Sequence, residues 1–237
     1  MVSGQNKHWR SSVSWLLLVL VNVTIFAYMF GFGECDARCS DWEYVKDLTL
    51  DGSSSQSINR WDHSPTVTVK GGTNAEREMV GGAIFELNQM LSGTGIAVRM
   101  TRDDVADITV NFVTSEVLRE LARDNDLDAR ILGFCGTDVS DNGVIQKAQI
   151  VVSTNLTQGN KWGTVLHELG HSLGITGHTE RYLSSLFFKD FKGGALSDGY
   201  SAEDRKLMKF LYGQVQAGED DASAETKFDR FWIAEAR

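Results

Sequence analysis

The sequence predicts a mixed α/β domain built on a twisted mixed sheet and carried behind an apolar N-terminal span. Short β-branched runs alternate with apolar runs at helical spacing. Their order is strand, helix, strand, strand, short helix, strand, helix, as in a sheet covered by helices. An uncharged stretch precedes them all.

Residues 1–12 carry Lys7 and Arg10 and no acid, and residues 13–33 carry no charge. A helix needs about 20 apolar residues to cross a bilayer, whereas a signal-peptide core has about 7–15. The basic flank puts residues 1–12 in the cytoplasm. Residues 13–33 are then a single-pass transmembrane signal-anchor, with a cleaved signal peptide as the alternative. Either way the rest of the chain is expected outside the cytoplasm, periplasmic or extracellular, and secreted if the segment is cleaved. Glu34, Asp36, Asp41 and Glu43 follow at once. Residues 34–60 read as a polar stalk with one ordered piece near residues 42–50.

The domain is expected over residues 61–213. Thr66–Val69 is rich in β-branched residues and reads as its first strand. Asn74 is placed to cap a helix. Met79, Val80, Ala83, Ile84, Leu87, Met90 and Leu91 then recur at helical spacing up to Gly93. Ile96–Met100 and Asp107–Val113 read as strands, and Ser115–Arg123 as a short helix. Residues 124–147 are rich in Asp and Gly and read as loop, with 131–134 as a candidate paired piece. Ala148–Ser153 is the next strand, Trp162–Leu173 a helix, and Ser201 opens the C-terminal helix that runs to Tyr212. Residues 214–237 form an acidic tail, mobile over 217–225. Its short amphipathic end carries Phe228, Phe231, Trp232 and Ile233, to dock on the domain or on a partner.

The net charge is −9 and no run of five to eight Lys or Arg occurs, which argues against nucleic acid as a partner. Three cysteines lie beyond the apolar span. Cys35 can pair with Cys39, or either with Cys135. Alternatively Cys135 is a small buried apolar residue.

The chain has five histidines, His8, His63, His167, His171 and His178. His63 reads as a surface residue. His167 and His171 stand four apart on a predicted helix, so their rings share a face with Cβ atoms about 5–6 Å apart. That suits two imidazoles on one Zn2+. Glu168 follows the first of them, where a carboxylate beside an open ligand position takes a proton from water. Gly174 can end the helix with positive φ, and Gly177 adds freedom before His178, the candidate third ligand.

These residues resemble a metzincin, the zinc-peptidase clan with H-E-x-x-H-x-x-G-x-x-H and a methionine turn under the metal. His167, Glu168, His171 and Gly174 match position by position. His178 comes one residue late, with Gly177 at the expected ligand position. Leu186 stands where a matrixin carries the methionine, so a bulky apolar floor remains without the thioether. The resemblance implies a zincin-like domain with a twisted mixed sheet, an active-site helix and a C-terminal helix. It implies zinc as cofactor and a peptide or protein as substrate. A further resemblance covers about residues 58–213, to a bacterial family of secreted or anchored predicted metallopeptidases of uncharacterised function. It rests on Asn59-Arg60-Trp61, Ala106–Val110, the strand from Ala148, Ser185-Leu186-Phe187 and Asp204–Tyr212.

The expected activity is zinc-dependent hydrolysis of peptide bonds, with His167, His171 and His178 on the metal and Glu168 as general base. Ala148–Ser153 is a candidate cleft edge on which an extended substrate adds a strand. Two alternatives stand beside it: a catalytically inactive binding module of the same fold, and a zinc amidase acting on cell-wall peptides.

Overall fold

The protein is described by a computed structural model, which covers residues 37–50, 56–189 and 199–234. The chain divides into two units, residues 1–39 and residues 40–237. The expected span at 13–33 lies outside the described residues. Among those described, no helix is long and apolar enough to cross a membrane.

Among the described residues, six helices and five strands follow in order: α1 (Ala37–Thr49), β1 (Thr66–Gly71), α2 (Asn74–Met90), β2 (Arg99–Met100), β3 (Ile108–Val113), α3 (Ser115–Asp124), β4 (Gly133–Val139), β5 (Ile145–Ser153), α4 (Gln158–Ser172), α5 (Ala202–Gly213) and α6 (Asp221–Ala234). The strands form one mixed sheet in the order β2-β1-β3-β5-β4. Four run parallel, and β4 alone is antiparallel, paired to β5 from Gly133↔Val152 to Val139↔Ile145.

The parallel strands β1, β3 and β5 are short, β-branched and mostly buried, as strands covered by helices must be. One face packs on α2 and α4. Val80, Ala83, Ile84 and Leu87 supply the buried stripe of α2, and Val165, Leu166 and Leu169 that of α4. Thr73, rather than Asn74, caps α2. Glu76 is its third helical residue and closes a capping box by returning to the Thr73 N–H at 2.7 Å.

Three expectations change. Within the segment expected as a stalk, the ordered piece expected near residues 42–50 is helix α1, and its Trp42, Val45 and Leu48 join the main core. The segment expected as loop holds β4, the outer strand. Its partner β5 is hydrogen-bonded on both sides, so the candidate cleft edge at Ala148–Ser153 has no free edge to offer. The stretch expected as mobile at 217–225 leads into α6 from Asp221 onward, and of the two docking places expected for the aromatic end it takes the domain, where Ala224, Phe228 and Trp232 are buried.

Candidate metal centre

Helix α4 is capped by Thr157, whose side chain accepts the Asn160 N–H. It turns Val165, Leu166 and Leu169 into the core, which sends His167 and His171 to the other side of the helix, while Glu168 is buried between the two faces. The helix ends as its glycine suggests. Gly174 has φ +95°, its N–H returns to His171 O at 3.0 Å, and Ile175 N reaches Gly170 O at 3.3 Å. A Cβ on Gly174 would lie 2.0 Å from Asn59 O, so close backbone approach and positive φ both require glycine here.

The chain then doubles back. Thr176 N and Gly177 N both donate to Leu48 O, at 2.7 and 3.2 Å. Gly177, at the position where the metzincin pattern has its histidine, is therefore used by its main chain. The next residue, His178, reaches the site. Its Nε2 lies 3.2 Å from His167 Nε2, and His171 Nε2 lies 2.9 Å from the same atom. Donor atoms of the three imidazoles all fall within 4.8 Å of one another.

The outer ring nitrogens decide what the inner ones can do. His167 Nδ1 donates to Leu186 O at 2.9 Å, and His171 Nδ1 donates to Ile175 O at 2.5 Å. A carbonyl only accepts, so Nδ1 carries the proton and a neutral ring leaves Nε2 with a bare lone pair. Two such lone pairs facing each other at 2.9 Å repel unless a cation lies between them. Three nitrogens on a tetrahedral Zn2+, each about 2.0–2.1 Å away, would be separated by roughly 3.3 Å. The separations found fit a small cation held by His167, His171 and His178. The two carbonyls are the outer partners that fix ring orientation in such sites.

Electrostatics agree with neutral rings. Burial, then the His178 ring, pushes His167 down to about 4. Burial, then both neighbouring imidazoles, puts His171 well below its ordinary value. His178 is also lowered, by burial first and the Lys189 charge second. Glu168 is 5% exposed, and burial lifts its carboxyl to about 8. A neighbouring cation favours its ionised form.

Beneath the site lies Phe187 rather than Leu186. The Phe187 ring is fully buried, 5.1 Å from the His167 ring and 5.4 Å from that of His171. Leu186, also fully buried, contributes its main chain: its carbonyl takes His167, and its N–H donates to Asp204 Oδ2 at 2.9 Å. Asp204 has no exposed surface and also accepts from Tyr44, Ser185 and Ser201.

Beside Glu168 runs the outer strand. A Cβ on Gly133 of β4 would lie 2.8 Å from Thr164 and 3.3 Å from Glu168 Cγ, so this glycine lets β4 close on α4. Cys135, two residues along, is a free thiol held well above its ordinary value by burial and then by the Glu168 charge. Cys39 is disulfide-bonded, so it does not pair with Cys135. His63 is exposed, away from the other imidazoles, and bonded through Nδ1 to Asp62 at 2.8 Å.

The histidine triad and Glu168 were legible from local spacing. Asp204, Phe187, the Leu186 and Ile175 carbonyls and Leu48 were not. A capping box at Ser201 and Asp204 was the one signal pointing near them.

No curated protein matches the chain. Two solved structures of myroilysin align with it, at TM-scores of 0.42 and 0.40 and identities of 15% and 14%. Each alignment covers 65% of this chain, and 82% and 86% of the respective myroilysin chain. Residues 41–227 match the family described as protein of unknown function (DUF2927), and the chain belongs to that family.

Proposed function

We propose that the chain is a zinc-dependent, metzincin-like peptidase that hydrolyses peptide bonds outside the cytoplasm, anchored through residues 13–33. The observation that carries the reading is the convergence of three imidazoles, two of which commit their outer nitrogens to backbone carbonyls, next to a buried glutamate. His167, His171 and His178 would hold the ion. Zinc supplies Lewis acidity to the scissile carbonyl and to the attacking water.

The chain's own groups do the rest. The Glu168 carboxylate accepts the proton of the attacking water and returns it to the leaving amine. The Leu186 and Ile175 carbonyls hold the rings of His167 and His171 in one tautomer. The substrate lies along β4, the outer strand next to α4, and pairs with it as an added strand. Gly133 keeps that strand close to Glu168.

The test uses the purified full-length protein. Metal analysis should find about one zinc per chain, lost in His171→Ala. Glu168→Gln should keep the zinc and lower cleavage of an unstructured protein by about 100-fold or more. Equal cleavage by wild type and Glu168→Gln, or zinc retained without cleavage in either, would favour the inactive binding module. Cleavage confined to cell-wall peptides would favour the amidase.

A further inference from the structure

We propose that helix α1, which supplies no metal ligand, is the element that sets the metal affinity of the site, with Tyr44 and Asp47 as positioning residues. The proposal deepens the metal-binding reading above and rests on it.

Three contacts carry it. They reach both sides of His178 and the outer nitrogen of His167. Just before His178, the N–H groups of Thr176 and Gly177 both donate to Leu48 O at the end of α1. Just after it, Thr179 Oγ1 donates to Asp47 Oδ2 at 2.9 Å, with Thr179 itself 1% exposed. Arg181 extends this grip, 3.3 Å from Asp47 Oδ2 and 3.3 Å from Glu43 Oε2. One turn earlier on α1, the buried Tyr44 hydroxyl donates to Asp204 Oδ1 at 2.7 Å. Asp204 Oδ2 holds the Leu186 N–H at 2.9 Å, and the carbonyl of that residue holds His167 Nδ1 at 2.9 Å. Residues 41, 44, 47 and 48 thus form one face of α1, turned to the 176–186 segment. Tyr182 belongs to the same contact, with its hydroxyl on Asp41 and its ring 5.0 Å from that of Tyr44.

The physical reason is the difference between the three imidazoles. His167 and His171 are fixed by α4. His178 follows a turn in irregular backbone. Ordering such a residue costs backbone entropy, which binding must supply unless the fold has already done so. Two hydrogen bonds to Leu48 and one to Asp47 do it in advance. Outer partners of this kind typically change metal affinity by about 10–100-fold.

The experiment measures the zinc dissociation constant of the full-length chain by competition with a chromogenic chelator, alongside thermal unfolding of the metal-free protein. Tyr44→Phe keeps the ring and removes the hydroxyl. Asp47→Ala and Thr179→Val each remove the Asp47–Thr179 bond. Each should weaken zinc binding about tenfold. The double variant Asp47→Ala/Thr179→Val should weaken it no more than Asp47→Ala alone, because the two share one bond. Asp47→Asn, which still accepts from Thr179, should recover most of the affinity. Should Asp47→Ala not fold, Thr179→Val and Tyr44→Phe carry the same test. Unchanged zinc affinity in these variants, with or without a lower unfolding temperature, overturns the proposal and leaves the metal site standing. A wild-type chain that binds no zinc overturns both.

Discussion

The ring of Phe187 fills the space in which a side chain at Gly170 would stand: a Cβ there would lie 2.3 Å from Phe187 Cζ and 2.9 Å from Cε1. Two effects compete at this position. Alanine is the better helix residue by about 0.5–1 kcal/mol, and overpacking a closed core costs about 1–3 kcal/mol. The ring is fully buried and pressed against both His167 and His171, so it has little room to yield. Overpacking wins. Gly170→Ala should lower the urea midpoint of the metal-free protein and weaken zinc binding, as the displaced ring pushes on both imidazoles. A midpoint that rises instead would show that the floor is loose.

Acid should act on the protein through Glu76, far from the histidines in sequence. Its side chain is 4% exposed and joins the start of α2 to the start of α4. Burial alone would raise its pKa. Hydrogen bonds from Lys161, Thr154 and Thr73 outweigh burial and hold the carboxyl at about 2. Lys161 Nζ lies 2.5 Å and Thr154 Oγ1 2.6 Å from Glu76 Oε1. The folded value is below the unfolded value of about 4.5. The ionised group therefore stabilises the fold above pH 4.5, and that contribution disappears as pH falls towards 2. Glu76→Gln should be less stable than wild type at pH 7, with the gap narrowing between pH 4.5 and 2. Urea titrations across that range measure it, and a gap independent of pH would rule the account out.

What could be read in advance, and what could not, follows from where each signal resides. The apolar stripes of α2, α4 and α5 repeat within one helix, so the sequence carries them locally. The H-E-L-G-H segment is local in the same sense. β4 reads Gly-Phe-Cys-Gly-Thr-Asp-Val and shows no alternation, because it is the outer strand and its second half is exposed. Asp41, Glu43 and Asp47 made α1 look like a solvated stalk. In the fold they are partners of Tyr182, Arg181 and Thr179. The parts of the site that escaped notice act through carbonyls, which every residue has, or through Asp204, whose partners come from α1, the 185–186 segment and its own helix cap. Only the cap was within reach of a sequence pattern.

The Asn59-Arg60-Trp61 segment ties the ends of two helices, which gives its residues a measurable role. Arg60 Nη1 donates to Leu211 O at 3.0 Å, Tyr212 O at 3.4 Å and Val215 O at 2.6 Å, all at the end of α5. Its guanidinium lies 4.7 Å from the centre of the Tyr212 ring. Trp61 Nε1 donates to Ser172 O at 2.8 Å, at the end of α4. Arg60→Met keeps the volume and strands those carbonyls. Leaving a buried acceptor unpaired costs about 1–3 kcal/mol, so the loss should be about 3 kcal/mol over the group. Arg60→Lys, with one charged head on the same path, should recover part of it. Equal stability of Arg60→Met and wild type would mean that water satisfies the helix end.

The C-terminal aromatics distinguish a docked helix from a loose tail. Phe228 has no exposed surface and stacks on Trp232 at 4.9 Å. It also meets Trp42 of α1 at 5.1 Å and Phe210 of α5 at 6.0 Å. Lys206 lies 4.3 Å above the Trp232 ring and donates to the Trp232 carbonyl at 3.1 Å. A buried Phe cut back to Ala costs about 3–5 kcal/mol, a large share of the roughly 5–15 kcal/mol that holds a domain together. Phe228→Ala should therefore bring global unfolding to a much lower urea concentration. Thr226→Ala, an exposed position two residues earlier, should cost far less. Because Phe228 touches α1, and α1 holds the backbone on either side of His178, the same substitution should also weaken zinc binding. Phe228→Ala with wild-type stability would return residues 221–234 to the status of an appendage and cut this link to the metal site.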